Sequence, residues 1–183
     1  MKTALLLIDI QNDYFPGGKH ELFEAGAAAA RAARALRLFR EKGLPVVHVR
    51  HESERPNASF FLPGTEGAEI HESVRPLPGE PVVLKHQPDG FLHTELQEIL
   101  QNAGVQRLVV CGMMSHMCVD TTVRAANALG FPVLLLGGAC TTKDLSWKGA
   151  RIPAQTVHGA FMAALDGTFA EVIGTAELEQ ALG

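Results

Sequence analysis

The chain has 183 residues, of which 46% are hydrophobic and 20% charged, a globular composition that excludes a disordered chain. Its 16 Lys and Arg against 20 Asp and Glu leave a formal net charge of −4, which argues against nucleic acid as the main partner, because phosphate binding needs a positive field. One domain spanning residues 1–183 is expected at this length, and no apolar run approaches a membrane span.

The first apolar run, Thr3–Ile10, is interrupted at Asp9, too early for the hydrophobic segment of a signal peptide. An Ala- and Arg-rich stretch, Leu22–Lys42, follows, with Ala29, Ala32, Leu36 and Phe39 on one stripe. It predicts a helix, with Gly43 as its left-handed cap and Pro45 opening the next strand, Pro45–Val49. Residues 52–80 are the least regular part of the chain. They hold Pro56, Pro63, Gly64, Gly67, Pro76, Pro78 and Gly79, with Phe60, Phe61 and Leu62 among them. An insertion of this length predicts a binding loop, a lid or a subunit contact. Its apolar residues favour packing over the chain's own pocket or on another subunit, with a homodimer or higher homo-oligomer expected.

Strand runs Pro81–Lys85, Arg107–Cys111, Pro132–Leu136 and Ala170–Ile173 alternate with helical patterns at Thr94–Ala103, Cys118–Leu129, Ile152–Leu165 and Thr175–Leu182. Most of the strand runs are continuously apolar rather than alternating, as in a parallel sheet covered on both faces. The expected fold is a single three-layer αβα domain around a mostly parallel sheet of about six strands. Cys111, Cys118 and Cys140 form no CxxC pair and are odd in number, which fits a reducing, cytoplasmic setting.

Ligands in such a sheet sit beyond the carboxyl ends of the strands. Asp9 closes the first strand, Lys85 closes the third, and Cys118 opens the helix after the fourth, so a base, a cation and a thiol reach one rim. Each has an ordinary structural explanation: a turn carboxylate, a solvated lysine, a buried cysteine. As a base for a thiol, Asp9 starts at a pKa of about 3.9 against about 8.5, roughly 6 kcal/mol uphill. The expected remedy is burial raising Asp9 and a helix N-terminus lowering Cys118. A strand-end Asp and Lys also occur in phospho-acceptor receiver domains, but those need a second acid beside Asp9 and an acceptor Asp where Lys85 stands.

The residues Leu7-Ile8-Asp9-Ile10-Gln11-Asn12-Asp13-Tyr14-Phe15, Lys85 with Phe91, Thr94 and Leu96, and Gly112-Met113-Met114-Ser115-His116-Met117-Cys118-Val119-Asp120-Thr121 resemble the three ordered motifs of the isochorismatase-like cysteine hydrolases. The resemblance implies the strand order 3-2-1-4-5-6 and a catalytic triad of Asp9, Lys85 and Cys118. It also implies a cis Met113–Met114 peptide, with the N–H groups of Met114 and Cys118 as the oxyanion hole. The expected activity is cleavage of a C–N bond in a small amide or carbamoyl-type compound through a thioester, with no cofactor. Phe15, His51, Phe91, Ser115 and His116 are candidate substrate-binding residues, and the Phe60-Phe61 loop is a further candidate wall. The alternative is a vinyl-ether hydrolase of the isochorismatase type with Cys118 a bystander, for which Pro63-Gly64-Thr65 resembles the relevant loop. No metal is expected: the nicotinamidase pattern of Asp and His after the second strand is missing from His48-Val49-Arg50-His51, and residues three apart on a strand face opposite sides.

Overall fold

In a computed structural model covering Met1–Gly183, the six apolar runs form one parallel sheet. Its strands are β1 (Thr3–Ile8), β2 (Val46–His51), β3 (Val82–Lys85), β4 (Arg107–Met113), β5 (Val133–Thr141) and, last in the chain, β8 (Glu171–Ile173). The order is β3-β2-β1-β4-β5-β8, the expected arrangement with the final strand at one edge. Helix α1 (Ala25–Glu41) packs against β1, β4 and β5, while α3 (Asp120–Ala128) and α4 (Ala154–Leu165) pack on each other and on β5, giving three layers. Helix α2 (Leu96–Asn102) precedes β4, and α5 (Leu178–Ala181) ends the chain. No helix is long and apolar enough to cross a membrane.

The central strands explain the continuous apolar runs. All six residues of β1 are buried, because β2 and β4 flank it and helices cover both faces. A single apolar cluster joins the sheet to α1 through Ala29, Ala32, Leu36 and Phe39. Burying each Leu or Phe contributes about 1.5–3 kcal/mol, so this cluster dominates the favourable side of folding.

Register then sets the site. Ile8 lies beside Val49 on one side and Gly112 on the other, and His51 lies beside Lys85. The strand ends therefore converge on one rim. Gly112 has φ +139°, and a Cβ there would stand 2.0 Å from the Ile8 carbonyl oxygen. Only glycine permits β4 to approach β1 this closely at the rim.

Several boundaries differ from the sequence expectation. Strand β5 continues through Gly137 and Gly138 to Thr141, with an irregularity in its pairing with β4 that absorbs the glycines. An antiparallel hairpin, β6 (Leu145–Trp147) and β7 (Ala150–Ile152), fills what the sequence left irregular, turning at Lys148 and Gly149, both at positive φ. Only Leu178–Ala181 of the expected C-terminal helix is helical. The helix expected from Cys118 begins as a widened π-type turn, Ser115–Val119, before α3.

Candidate active site

Asp9 follows the last residue of β1 in a left-handed conformation, φ 50°, with its N–H donating to the Val49 carbonyl at 2.9 Å. Lys85 is the last residue of β3 and Cys118 sits in the π-type turn after β4. These elements bring the three side chains together. Lys85 Nζ lies 2.7 Å from Asp9 Oδ2 and 3.2 Å from Cys118 Sγ, and also contacts His51 Nδ1 at 2.9 Å and the Gln87 carbonyl at 3.1 Å. Asp9 and Lys85 have no exposed surface, and Cys118 is 7% exposed.

The buried Lys85 keeps its charge here. Burial alone would lower the pKa of Lys85, but Asp9 and Cys118 outweigh it and the net direction is upward, so the ammonium is retained. Cys118 corrects the sequence expectation. Burial pushes its thiol up, Asp9 adds to that, and Lys85 only partly opposes, so the resting group is the thiol. Having its charge on a wide turn inside the protein, rather than on an exposed helix terminus, reverses the expected sign. His51 is lowered to about 4 by burial and by Lys85, which makes it a neutral acceptor toward the ammonium.

The sequence missed how the end of β2 is held. Gln11 donates from Nε2 to the His51 carbonyl at 2.8 Å and to the Ala68 carbonyl at 2.7 Å, and its Oε1 accepts from the His51 N–H at 2.7 Å. An amide three residues beyond β1 was the available signal, and its satisfied hydrogen bonds explain why it is tolerated when buried.

The Met113–Met114 peptide is cis. The Met114 N–H donates to no backbone or side-chain acceptor of the protein, while the Met114 carbonyl accepts from the N–H groups of Met117 and Val119. Met114 and Cys118 both border a cavity of about 470 Å³. Its other walls include Tyr14, His51, Phe60 and Phe61. The loop from Ser53 to Phe61 is tied at its base: the Ser53 N–H donates to the Phe61 carbonyl at 2.9 Å, and the Phe61 N–H donates to Asp13 Oδ2 at 2.7 Å. Phe61 is buried against Tyr14, with ring centroids 4.6 Å apart, and Phe60 stacks on His20 at 4.1 Å. The irregular insertion thus folds over its own chain's cavity at Phe60 and Phe61.

Of the substrate-binding candidates, His51 lines this cavity and four do not. Phe15 stacks on His71 at 3.6 Å, because the short turn at Asn12–Tyr14 turns Tyr14, and not Phe15, toward the site. Phe91 stacks on Phe131. The Ser115 hydroxyl is hydrogen-bonded to His158 Nδ1 at 2.7 Å, and His116 Nδ1 to Thr142 Oγ1 at 2.5 Å. In the widened turn these two residues face α4 and the end of β5 while Cys118 faces the cavity. Ser53, Arg55, Asn57 and His86 line it instead, from loops whose path the sequence did not reveal.

Asp9, His51 and Cys118 each offer a ligand atom, all within 4.8 Å of one another, a spacing that a metal ion could use. Lys85 Nζ already contacts all three, so a metal among them would sit against an ammonium. His48 is directed elsewhere, with Nε2 2.9 Å from Glu80 Oε2.

The fold and this rim define an α/β protein with a buried carboxylate, ammonium and thiol beside a closed-over cavity. Comparison with known proteins gives the family. The isochorismatase domain model matches residues 3–177, and the chain belongs to that family. It is 54% identical over 172 residues to the uncharacterized isochorismatase family protein YddQ of Bacillus subtilis, covering 94% of this chain and 96% of the relative. A solved structure from Oleispira antarctica, assigned to the same family, superposes with a TM-score of 0.94 at 49% identity, covering 97% of this chain and 95% of the other. Nicotinamidase 3 of Arabidopsis thaliana is 30% identical over 152 residues, covering 76% of this chain and 73% of that protein. The family's members are hydrolases, amidohydrolases among them.

Proposed function

We propose that the chain is a cysteine hydrolase that cleaves the C–N bond of a small amide or carbamoyl-type substrate through a thioester on Cys118. The observation that carries this reading is the buried Asp9–Lys85 pair with Cys118 Sγ 3.2 Å from the ammonium, at the edge of a cavity. The nicotinamidase relative supports the choice of a C–N bond.

In this mechanism the thiol stays protonated until substrate arrives, and Asp9 accepts its proton as Sγ attacks the carbonyl carbon. The electron pair of the C=O bond moves to oxygen, and the N–H groups of Met114 and Cys118 stabilise that oxyanion. Collapse of the tetrahedral intermediate expels the amine, which takes the proton from Asp9 and leaves a thioester. Water then attacks the thioester, Asp9 again accepts a proton, and the departing thiolate recovers it. Lys85 keeps its charge throughout. It holds the carboxylate in place and offsets the negative charge passing between Asp9 and Sγ.

The experiment is an ammonia-release screen of primary amides, ureas and carbamoyl amino acids, followed by an acid quench during turnover and mass analysis of the peptide bearing Cys118. An acyl adduct on Cys118 is the expected result. Turnover without any adduct, in a rapid quench with hydrolysis shown to be rate-limiting, would overturn the reading.

A further inference from the structure

The cavity wall carries a charge that the proposed chemistry does not use. None of the side chains lining the cavity is a carboxylate, and Arg55 is the single guanidinium among them. Nearby ions are already paired. Arg50 is matched by Glu52 and Glu69, and Lys85 is answered by Asp9. Arg55 makes no ion pair and donates no side-chain hydrogen bond.

Its position is fixed by the loop. The stretch from Ser53 to Phe61 is closed at its base by the Ser53–Phe61 backbone bond and pinned by Asp13, and Arg55 opens a turn at its tip, its carbonyl accepting from the Ala58 N–H at 3.1 Å. Arg55, itself exposed, therefore stands on a tethered loop that borders the same cavity as Cys118. Its charge is felt at His51, whose pKa it helps hold down after burial and Lys85, and His51 touches Lys85.

We propose that Arg55 receives a carboxylate on the substrate, so that the preferred substrates are small amides carrying a carboxylate beyond the scissile carbonyl. This rests on the reading of Cys118 as the nucleophile. A guanidinium suits a carboxylate because its planar fork offers two parallel donors at matching spacing. One unpaired cation matches one negative charge, which favours a carboxylate over a doubly charged phosphate. The neutral His51 and the apolar Phe60, Phe61 and Met117 form part of the same wall without competing for the anion.

The test needs no knowledge of the substrate. Iodoacetate and iodoacetamide deliver the same carbon to a thiol and differ by one carboxylate, so the ratio of their alkylation rates at Cys118 reads the cavity's preference for an anion. Labelling is followed by mass analysis of the peptide containing Cys118, in the wild type, Arg55→Gln and Arg55→Lys. With Lys85 common to all three, the ratio of iodoacetate to iodoacetamide rates is expected to fall about fivefold or more in Arg55→Gln, the effect of one partly solvated charge at close range. Arg55→Lys is expected to retain most of the ratio. A ratio in Arg55→Gln within about 1.5-fold of wild type would overturn the assignment of Arg55. If neither reagent labels Cys118 in the wild type faster than it labels the buried Cys111 and Cys140, the nucleophile reading itself fails, and this inference with it.

Discussion

Replacing Lys85 by Met would remove the ammonium and leave the Asp9 carboxylate alone in the protein interior. The pair is separated by 2.7 Å and neither side chain is exposed to solvent. Lys85 is the carboxylate's one charged partner. The ammonium, by contrast, keeps His51 Nδ1, the Gln87 carbonyl and Cys118 Sγ as partners. The two single variants should therefore differ. Stranding one charge of a buried pair costs about 3–5 kcal/mol, so Lys85→Met is expected to lose that much stability. Asp9→Asn should lose less, because Asn still offers an oxygen to the retained ammonium. The double variant removes both charges and should recover at least about 2 kcal/mol relative to the sum of the singles, as a contacting pair does. Urea denaturation at pH 7, followed by circular dichroism, measures all four proteins. A Lys85→Met loss below about 1 kcal/mol, or strict additivity within about 0.5 kcal/mol, would refute the claim that the pair is buried and mutually compensating.

Other expectations follow from neighbouring geometry. Glu80 is held down to about 2 against burial by Arg40, the Leu77 N–H and His48. Its folded pKa is depressed, so its contribution is complete above its ordinary value of 4.5 and is lost as pH falls toward 2. Glu80→Gln should thus be less stable than wild type by about 1–3 kcal/mol at pH 7, and the gap should close in acid denaturation curves below pH 3. His51 titrates near 4, so an acidic limb of the kcat/KM profile near 6.5 should be absent or should survive His51→Gln unchanged. A Cβ at Gly67 would lie 2.3 Å from Asp13 Oδ1, so Gly67→Ala should push Asp13 off the Phe61 N–H and loosen the loop. It should raise protease cleavage within residues 53–61 several-fold, and unaltered cleavage would contradict the tether.

The sheet was legible because β1, β4 and β5 carry apolar runs that only two covered faces explain. Asp9 was legible for the same reason, since a charged residue ending such a run has to be at the rim; Lys85 ends an edge strand whose Val82 and Leu84 are exposed, and it stood out only as the cation at a strand end. The hairpin at Leu145–Ile152 was not, since its turn uses Lys148-Gly149 in place of the Asn-Gly or Asp-Gly that usually marks one. The cavity wall was legible only in part. Phe60 and Phe61 stood out as apolar residues in an irregular segment, whereas Arg55 and His86 face the cavity through loop closures by Asp13 and Gln11 that depend on distant contacts. The sign of the thiol shift was also out of reach, because it depends on how deeply the turn at Ser115–Val119 is buried.

The role of Cys118 separates an amide hydrolase from one that cleaves an enol ether, in which Asp9 would still matter and the thiol would not. Once the screen supplies a substrate, kcat for Cys118→Ser against wild type on that substrate tests the central claim most directly. Serine keeps the shape of the site but is far harder to ionise, so the loss should be roughly 10²-fold or more, about 2.7 kcal/mol of barrier. A Cys118→Ser protein within about threefold of wild type, a difference of only ~0.65 kcal/mol, would contradict covalent catalysis by this residue.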